Sequence, residues 1–218
     1  MNVPMNQRVS VPKPSWRLVF AIMLVSIALE LRAAAAEPEA PAPTADPGLV
    51  SLPSGESAAQ RYFTDVQLTN QDGKHLRFYT DLLQGKVVVI NSFFSGCTAV
   101  CKVTMPLFCS LQEKFAARTG RDLHLISISV DPEADSPAAL KRYATGLGAR
   151  TGWDFLTGDK QSVELVLRKL GFATEAKEGH SNIFIVGNES TGLWKKVLGI
   201  GSPEEIAAAV ESVLEDGP

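Results

Sequence analysis

Lys86-Val-Val-Val-Ile-Asn-Ser-Phe-Phe-Ser-Gly-Cys97-Thr-Ala-Val-Cys101 joins an almost unbroken apolar run, Val87 to Phe94, to an amphipathic stretch that reaches about Arg118. A continuous apolar run of this kind reads as a strand buried on both faces, and Thr98 to Arg118 reads as a helix. The pattern recurs downstream. Leu123 to Val130 is a second buried strand, and Ser136 to Leu147 is a helix with Ser136 as N-cap and Pro137 at its first position. Strand, helix and strand in that order imply parallel pairing.

Further along, Trp153 to Leu156 is a short strand and Gln161 to Leu170 a helix. Ile183 to Val186 is a strand with Leu193 to Leu198 as its hairpin partner, and Pro203 to Leu214 is a closing helix. Upstream, Val66 to Leu68 and Leu76 to Phe78 flank the turn Asn70 to Lys74 as a hairpin. Trp153 and Trp194 fall within strands and are expected to pack. The layout is an α/β thioredoxin-like sandwich, a central mixed sheet flanked by helices with an N-terminal β-hairpin. A fold alone does not fix function.

Cys97 and Cys101 carry the chemistry. Four positions apart on a helix, they would share one face with Cβ atoms about 5–6 Å apart, whereas a relaxed disulfide wants about 3.5–4.5 Å. Metal–thiolate bonds of about 2.3 Å let two such sulfurs grip one soft ion. A helix start favours the thiolate, so both thiols are expected to be primed. An irregular first turn would still admit a disulfide, which leaves the pair open as metal ligands or as redox-active thiols. Simple packing is a poor account of two of the chain's three cysteines placed one turn apart between strand and helix. The third, Cys109, lies among Leu107, Phe108, Leu111 and Phe115 at helical spacing and is read as core.

Arg8, Lys13 and Arg17 precede the apolar run Leu18 to Leu29, no acid occurs before Glu30, and Ala34-Ala35-Ala36 offers small residues for cleavage. Residues 1–36 therefore read as an export signal, or, with Trp16 to Ala36 taken as one apolar span, as an uncleaved membrane anchor. Residues 37–57, with Pro38, Pro41, Pro43, Pro47 and Pro53, read as a flexible tether. Residues 58–218 suit one compact domain. The expected location is the periplasm or its membrane face, or the equivalent intermembrane space of a mitochondrion. There, paired cysteines are disulfides or metal ligands. A formal net charge of −3 without a basic cluster in the folded part argues against nucleic acid or an anionic surface as partner.

His180 lies in the polar loop Glu178-Gly-His-Ser-Asn182 just before the strand at Ile183, where functional side chains gather. His75 and His124 have weaker cases, one in the hairpin and one at a strand start. Asp131 reads as an Asp-Pro turn at a strand end or, because that strand runs parallel to the one leading to Cys97, as a group that orients His180 or Lys102. Asp135, just before Ser136, reads as a charge that favours the helix start.

The run Asn91 to Cys101, then Ile128-Ser-Val-Asp131-Pro132-Glu-Ala-Asp135, Phe155-Leu-Thr-Gly158-Asp159 and His180, resembles the Sco/SenC family over about Tyr62 to Leu214. That resemblance implies a thioredoxin-like copper chaperone, exported or tethered, that assists assembly of the copper site of cytochrome c oxidase. It also implies Cys97, Cys101 and His180 as ligands of a copper ion, Cu(I) or Cu(II), and as partner the oxidase copper-site subunit; a thioredoxin-like reductant is a further candidate partner, because a pair oxidised to a disulfide must be reduced before it can bind. Thiolates select soft Cu(I), and imidazole suits copper too. The chain departs from the family at Lys102, where proline is usual. Three functions fit: a non-catalytic metallochaperone, a thiol-disulfide reductase in which Cys97 attacks and Cys101 resolves, and a peroxiredoxin-like peroxidase. Thioredoxin-like reductases use CxxC and a proline where this chain has His180-Ser181-Asn182, and both differences favour metal.

Overall fold

The computed structural model describes residues 57–172 and 182–217. A seven-stranded mixed sheet runs in the order β2-β1-β5-β4-β3-β6-β7. Its strands are β1 (Gln67–Asn70), β2 (His75–Arg77), β3 (Val87–Phe93), β4 (Leu123–Ser129), β5 (Trp153–Thr157), β6 (Ile183–Asn188) and β7 (Leu193–Leu198). The helices are α1 (Ala58–Phe63), α2 (Cys101–Lys114), α3 (Pro137–Gly146), α4 (Lys160–Leu170) and α5 (Pro203–Leu214). A π-helical turn at Phe78–Leu83, which the sequence pattern did not signal, follows β2.

The expected parallel pairing holds for the central strands. β3 pairs with β4 from Val87↔Leu123 to Phe93↔Ser129, and β4 pairs with β5 from Leu125↔Trp153 to Ile128↔Leu156. β6 lies antiparallel on the other side of β3, with Val87 opposite Asn188 and Ile90 opposite Ile185, which makes the sheet mixed. All seven residues of β3 are buried because both faces are covered. Val87, Val89 and Phe93 face a core shared with α2, α3 and α5, while Val88 and Ile90 face another shared with α1 and α4. Trp153 packs in the first and Trp194 against the second, where its ring centroid lies 4.6 Å from that of Phe63.

The helix starts follow their capping residues. Ser136 Oγ accepts the Ala139 N–H with Pro137 at the first position of α3, Asp159 caps α4, and Ser202 and Glu205 form a reciprocal capping box on α5. α2 differs from expectation at both ends. It begins at Cys101 rather than Thr98, with no side-chain cap from Val100, and it ends at Lys114 rather than Arg118. The early end frees residues 115–122 to turn the chain back toward β4. Gly120 donates its N–H to the Leu123 carbonyl there, and Gly152 packs so closely that a Cβ on it would lie 2.2 Å from the Gly120 nitrogen. Among the described residues no helix is long and apolar enough to cross a membrane.

Candidate metal site

β3 delivers the chain to the end of the sheet at Phe93, and the loop 94–100 carries it to α2. Cys97 stands in that loop, not on the helix. Its own N–H donates to the Phe94 carbonyl at 3.1 Å, and the Cys101 N–H, first in the helix, donates to Cys97 Sγ at 3.4 Å. The two cysteines are thus brought together by an irregular turn capped by sulfur rather than by one helical face. The two are not joined in a disulfide; Cys97 is half-buried and Cys101 only 3% exposed.

That burial corrects the expectation that both thiols are primed. Desolvation above all, then hydrogen bonding to Cys97, pushes the Cys101 thiol up to about 12, and the contact with the Phe94 backbone offsets only part of this. The first N–H of α2 is directed at the sulfur of Cys97. Tyr143 packs on the same core, stacked on Phe93 at 5.3 Å. Burial first, then the neighbouring Cys101 and Cys97, hold its phenol well above the ordinary range.

Cys97 opens into a cavity of about 450 Å³ shared with Phe94, Ser95, Thr98, Asp131 and Asp135. Asp131 thus lines the same cavity as Cys97. Its N–H donates to Ser129 Oγ at 3.0 Å and its carbonyl accepts the Asp135 N–H at 2.9 Å. His180 lies outside the described residues. Among the described residues no three His, Cys, Asp or Glu side chains cluster as metal ligands.

Asp135 is the residue whose role the sequence reading misplaced. It is 1% exposed and does not cap α3, a task Ser136 performs. Its carboxylate instead accepts the Ser95 N–H at 3.1 Å, the Ser95 hydroxyl, and Ser129 Oγ at 2.5 Å. The available signal was redundancy: with Ser136 and Pro137 already completing the helix start, Asp135 had no end left to cap.

The remaining candidates lie elsewhere. Cys109 packs against the core, with Sγ 3.7 Å from the Leu147 carbonyl. His75 is exposed on β2 beside Thr69. His124 sits at the start of β4, the end of the sheet away from Cys97, and burial draws its pKa down.

A mixed sheet between two helical layers, with paired thiols where a central strand meets a helix, defines a thioredoxin-like protein. The chain belongs to the SCO1/SenC family, whose model matches residues 54–215. A SCO1 protein homolog of Bacillus subtilis (strain 168) is 34% identical over 117 residues, which make up 52% of this chain and 59% of that protein, so the match spans about three fifths of that relative's length. Among solved structures, a SCO1/SenC family lipoprotein from Bacillus anthracis str. Ames is 26% identical with a TM-score of 0.60, covering 70% of this chain and 95% of that one. BsSco, described as a member of the Sco family of cytochrome c oxidase assembly proteins with a disulfide switch, is 28% identical with a TM-score of 0.59, covering 71% and 94%. Copper-bound ScoI of Bradyrhizobium japonicum is 25% identical with a TM-score of 0.54, covering 67% and 96%.

Proposed function

We propose that this chain is a copper-binding metallochaperone that holds one copper ion through Cys97, Cys101 and His180 and passes it to the copper site of cytochrome c oxidase. The observation that carries the reading is a pair of cysteines in one turn, not joined in a disulfide, with Cys97 lining an open cavity and the Cys101 N–H on the Cys97 sulfur at 3.4 Å. Family membership and the copper bound to the Bradyrhizobium japonicum relative support it. Copper is cargo here. Two thiolates and one imidazole form a low-coordinate set that suits Cu(I), and a half-buried Cys97 leaves a side from which an acceptor's ligands can enter. Residues 1–36 would direct export or anchor the chain, and residues 37–57 would give the domain reach from a membrane.

A second reading rests on the closeness of the two sulfurs. The same pair would act as a thiol-disulfide couple that reduces copper-ligand cysteines in a partner before loading, as the disulfide switch described for BsSco suggests for that protein. Anaerobic competition of the reduced full-length chain with a chromophoric Cu(I) chelator separates the two. One tight equivalent, lost in Cys97→Ser and weakened in His180→Ala, is expected. No binding, or binding indifferent to His180, would overturn the copper site and move thiol exchange to first place.

A further inference from the structure

Asp135 is the only buried acid among the described residues. A carboxylate can accept about four hydrogen bonds, and this one spends its capacity on two separate segments. It takes the Ser95 N–H at 3.1 Å and the Ser95 hydroxyl from the loop that carries Cys97, and the Ser129 hydroxyl at 2.5 Å from the end of β4. Ser129 Oγ in turn accepts the Asp131 N–H at 3.0 Å. One side chain thus ties the loop 94–100, the last residue of β4 and the turn bearing Asp131.

We propose that Asp135 is a positioning residue for the copper site: by clamping Ser95, it fixes the path of the loop and so the place of the Cys97 sulfur over Cys101. The inference rests on the copper reading and deepens it. The loop needs such a clamp. It has no regular structure, and the bonds of Cys97 itself, from its N–H to the Phe94 carbonyl and from the Cys101 N–H to its sulfur, are local to the turn, whereas Asp135 ties that turn to β4. With the clamp removed, ordering the loop would be charged against copper binding, which weakens affinity.

Electrostatics alone makes the opposite prediction, which gives the test its edge. A carboxylate beside two thiolates repels them, so neutralising it would tighten a cation-binding thiolate pair. Positioning predicts that the same change loosens it. Charge-assisted bonds to a carboxylate are also stronger than bonds to a neutral amide, so Asp135→Asn slackens the clamp while keeping the shape.

The experiment is anaerobic Cu(I) competition on the full-length chain, comparing wild type with Asp135→Asn, Ser95→Ala and Asp65→Asn, alongside the thiolate-to-Cu(II) charge-transfer spectrum of each. Asp65 lies just before β1, toward the opposite edge of the sheet from β6 and β7, and serves as a control for lost stability. Asp135→Asn is expected to weaken copper by about 10- to 100-fold, the range typical of groups that orient ligands, and to shift the charge-transfer band. Ser95→Ala, which keeps the backbone N–H, is expected to do the same to a smaller degree, and it stands in should Asp135→Asn fail to fold. Asp65→Asn should leave both readouts at wild-type values. Unchanged or tighter binding in Asp135→Asn and Ser95→Ala, or an equal loss in Asp65→Asn, would overturn the positioning role while leaving the copper reading intact. A wild-type chain that binds no copper would overturn both.

Discussion

Ser127 Oγ donates to Asn91 Oδ1 at 2.7 Å, joining facing positions of β4 and β3 in the middle of the sheet. Asn91 passes the chain of bonds to α2 through Met105 Sδ at 3.5 Å, and Ser127 receives the Trp153 indole N–H at 3.0 Å from β5. Three strands and the helix that begins at Cys101 are therefore linked by one buried polar line. Such a line holds only when each member is satisfied. Ser127→Ala leaves the Asn91 oxygen and the Trp153 N–H without this partner, and is expected to destabilise the domain by about 1–3 kcal/mol. Thermal unfolding followed by tryptophan fluorescence checks it; a melting temperature equal to wild type would refute the account.

The two cysteines are expected to differ in reactivity. Cys101 is buried and its thiol is pushed up to about 12, chiefly by desolvation, so it stays protonated through the neutral range and loses its proton only as the pH approaches that value. Alkylation of the reduced, copper-free chain with iodoacetamide at pH 8, mapped by mass spectrometry, should label Cys97 well before Cys101, with Cys101 labelling rising steeply above pH 10. Equal labelling rates at pH 8 would contradict the buried position of Cys101.

Asp65 gives a pH dependence with a definite sign. Burial works against its charge, but hydrogen bonds from Thr80, Gln60 and Arg77 outweigh it and hold the carboxyl below the ordinary range. A group whose pKa is lowered on folding adds stability above its unfolded value of about 3.9 and loses that contribution as the pH falls through the folded value. The stability gap between wild type and Asp65→Asn, measured by urea unfolding, should therefore be constant from pH 7 to about 5 and close below about pH 4. A gap that widens on acidification would reverse the sign and refute the assignment.

Gly152→Ala should be among the more damaging single changes. The backbone there has φ +93, and the added Cβ would lie 2.2 Å from the Gly120 nitrogen and 2.4 Å from its Cα, both backbone atoms that cannot swing aside. Left-handed strain alone costs about 1–3 kcal/mol. The expected result is a loss at or above the top of that range in urea unfolding, against little change for Gly146→Ala, where a Cβ meets nothing within 4 Å.

Much of the architecture was legible locally. Strands buried on both faces announce themselves as continuous apolar runs, so Val87 to Phe94 and Leu123 to Val130 were placed to within a residue. Ser136 and Pro137 marked a helix start that the structure reproduces, because capping is a contact within one turn of chain. The ends of α2 were not legible in the same way. Amphipathic periodicity continues past Lys114, yet the helix ends there and the chain turns back to bring Gly120 against Gly152, a contact between segments distant in sequence.

The sequence by itself determined the alternation of strands and helices, the pairing of Cys97 with Cys101 at a strand-to-helix junction, and the resemblance to the SCO1/SenC family, all carried by spacing within short segments. Only the tertiary structure decided that Cys97 sits before the helix with the Cys101 N–H on its sulfur, and that Cys101 is sealed in the core. It also turned Asp135 from an apparent helix-start charge into the carboxylate that holds Ser95 from 40 positions away. The physical reason is burial: a side chain's neighbours across the sheet set its solvation and its hydrogen bonds, and no local pattern along the chain records who those neighbours are.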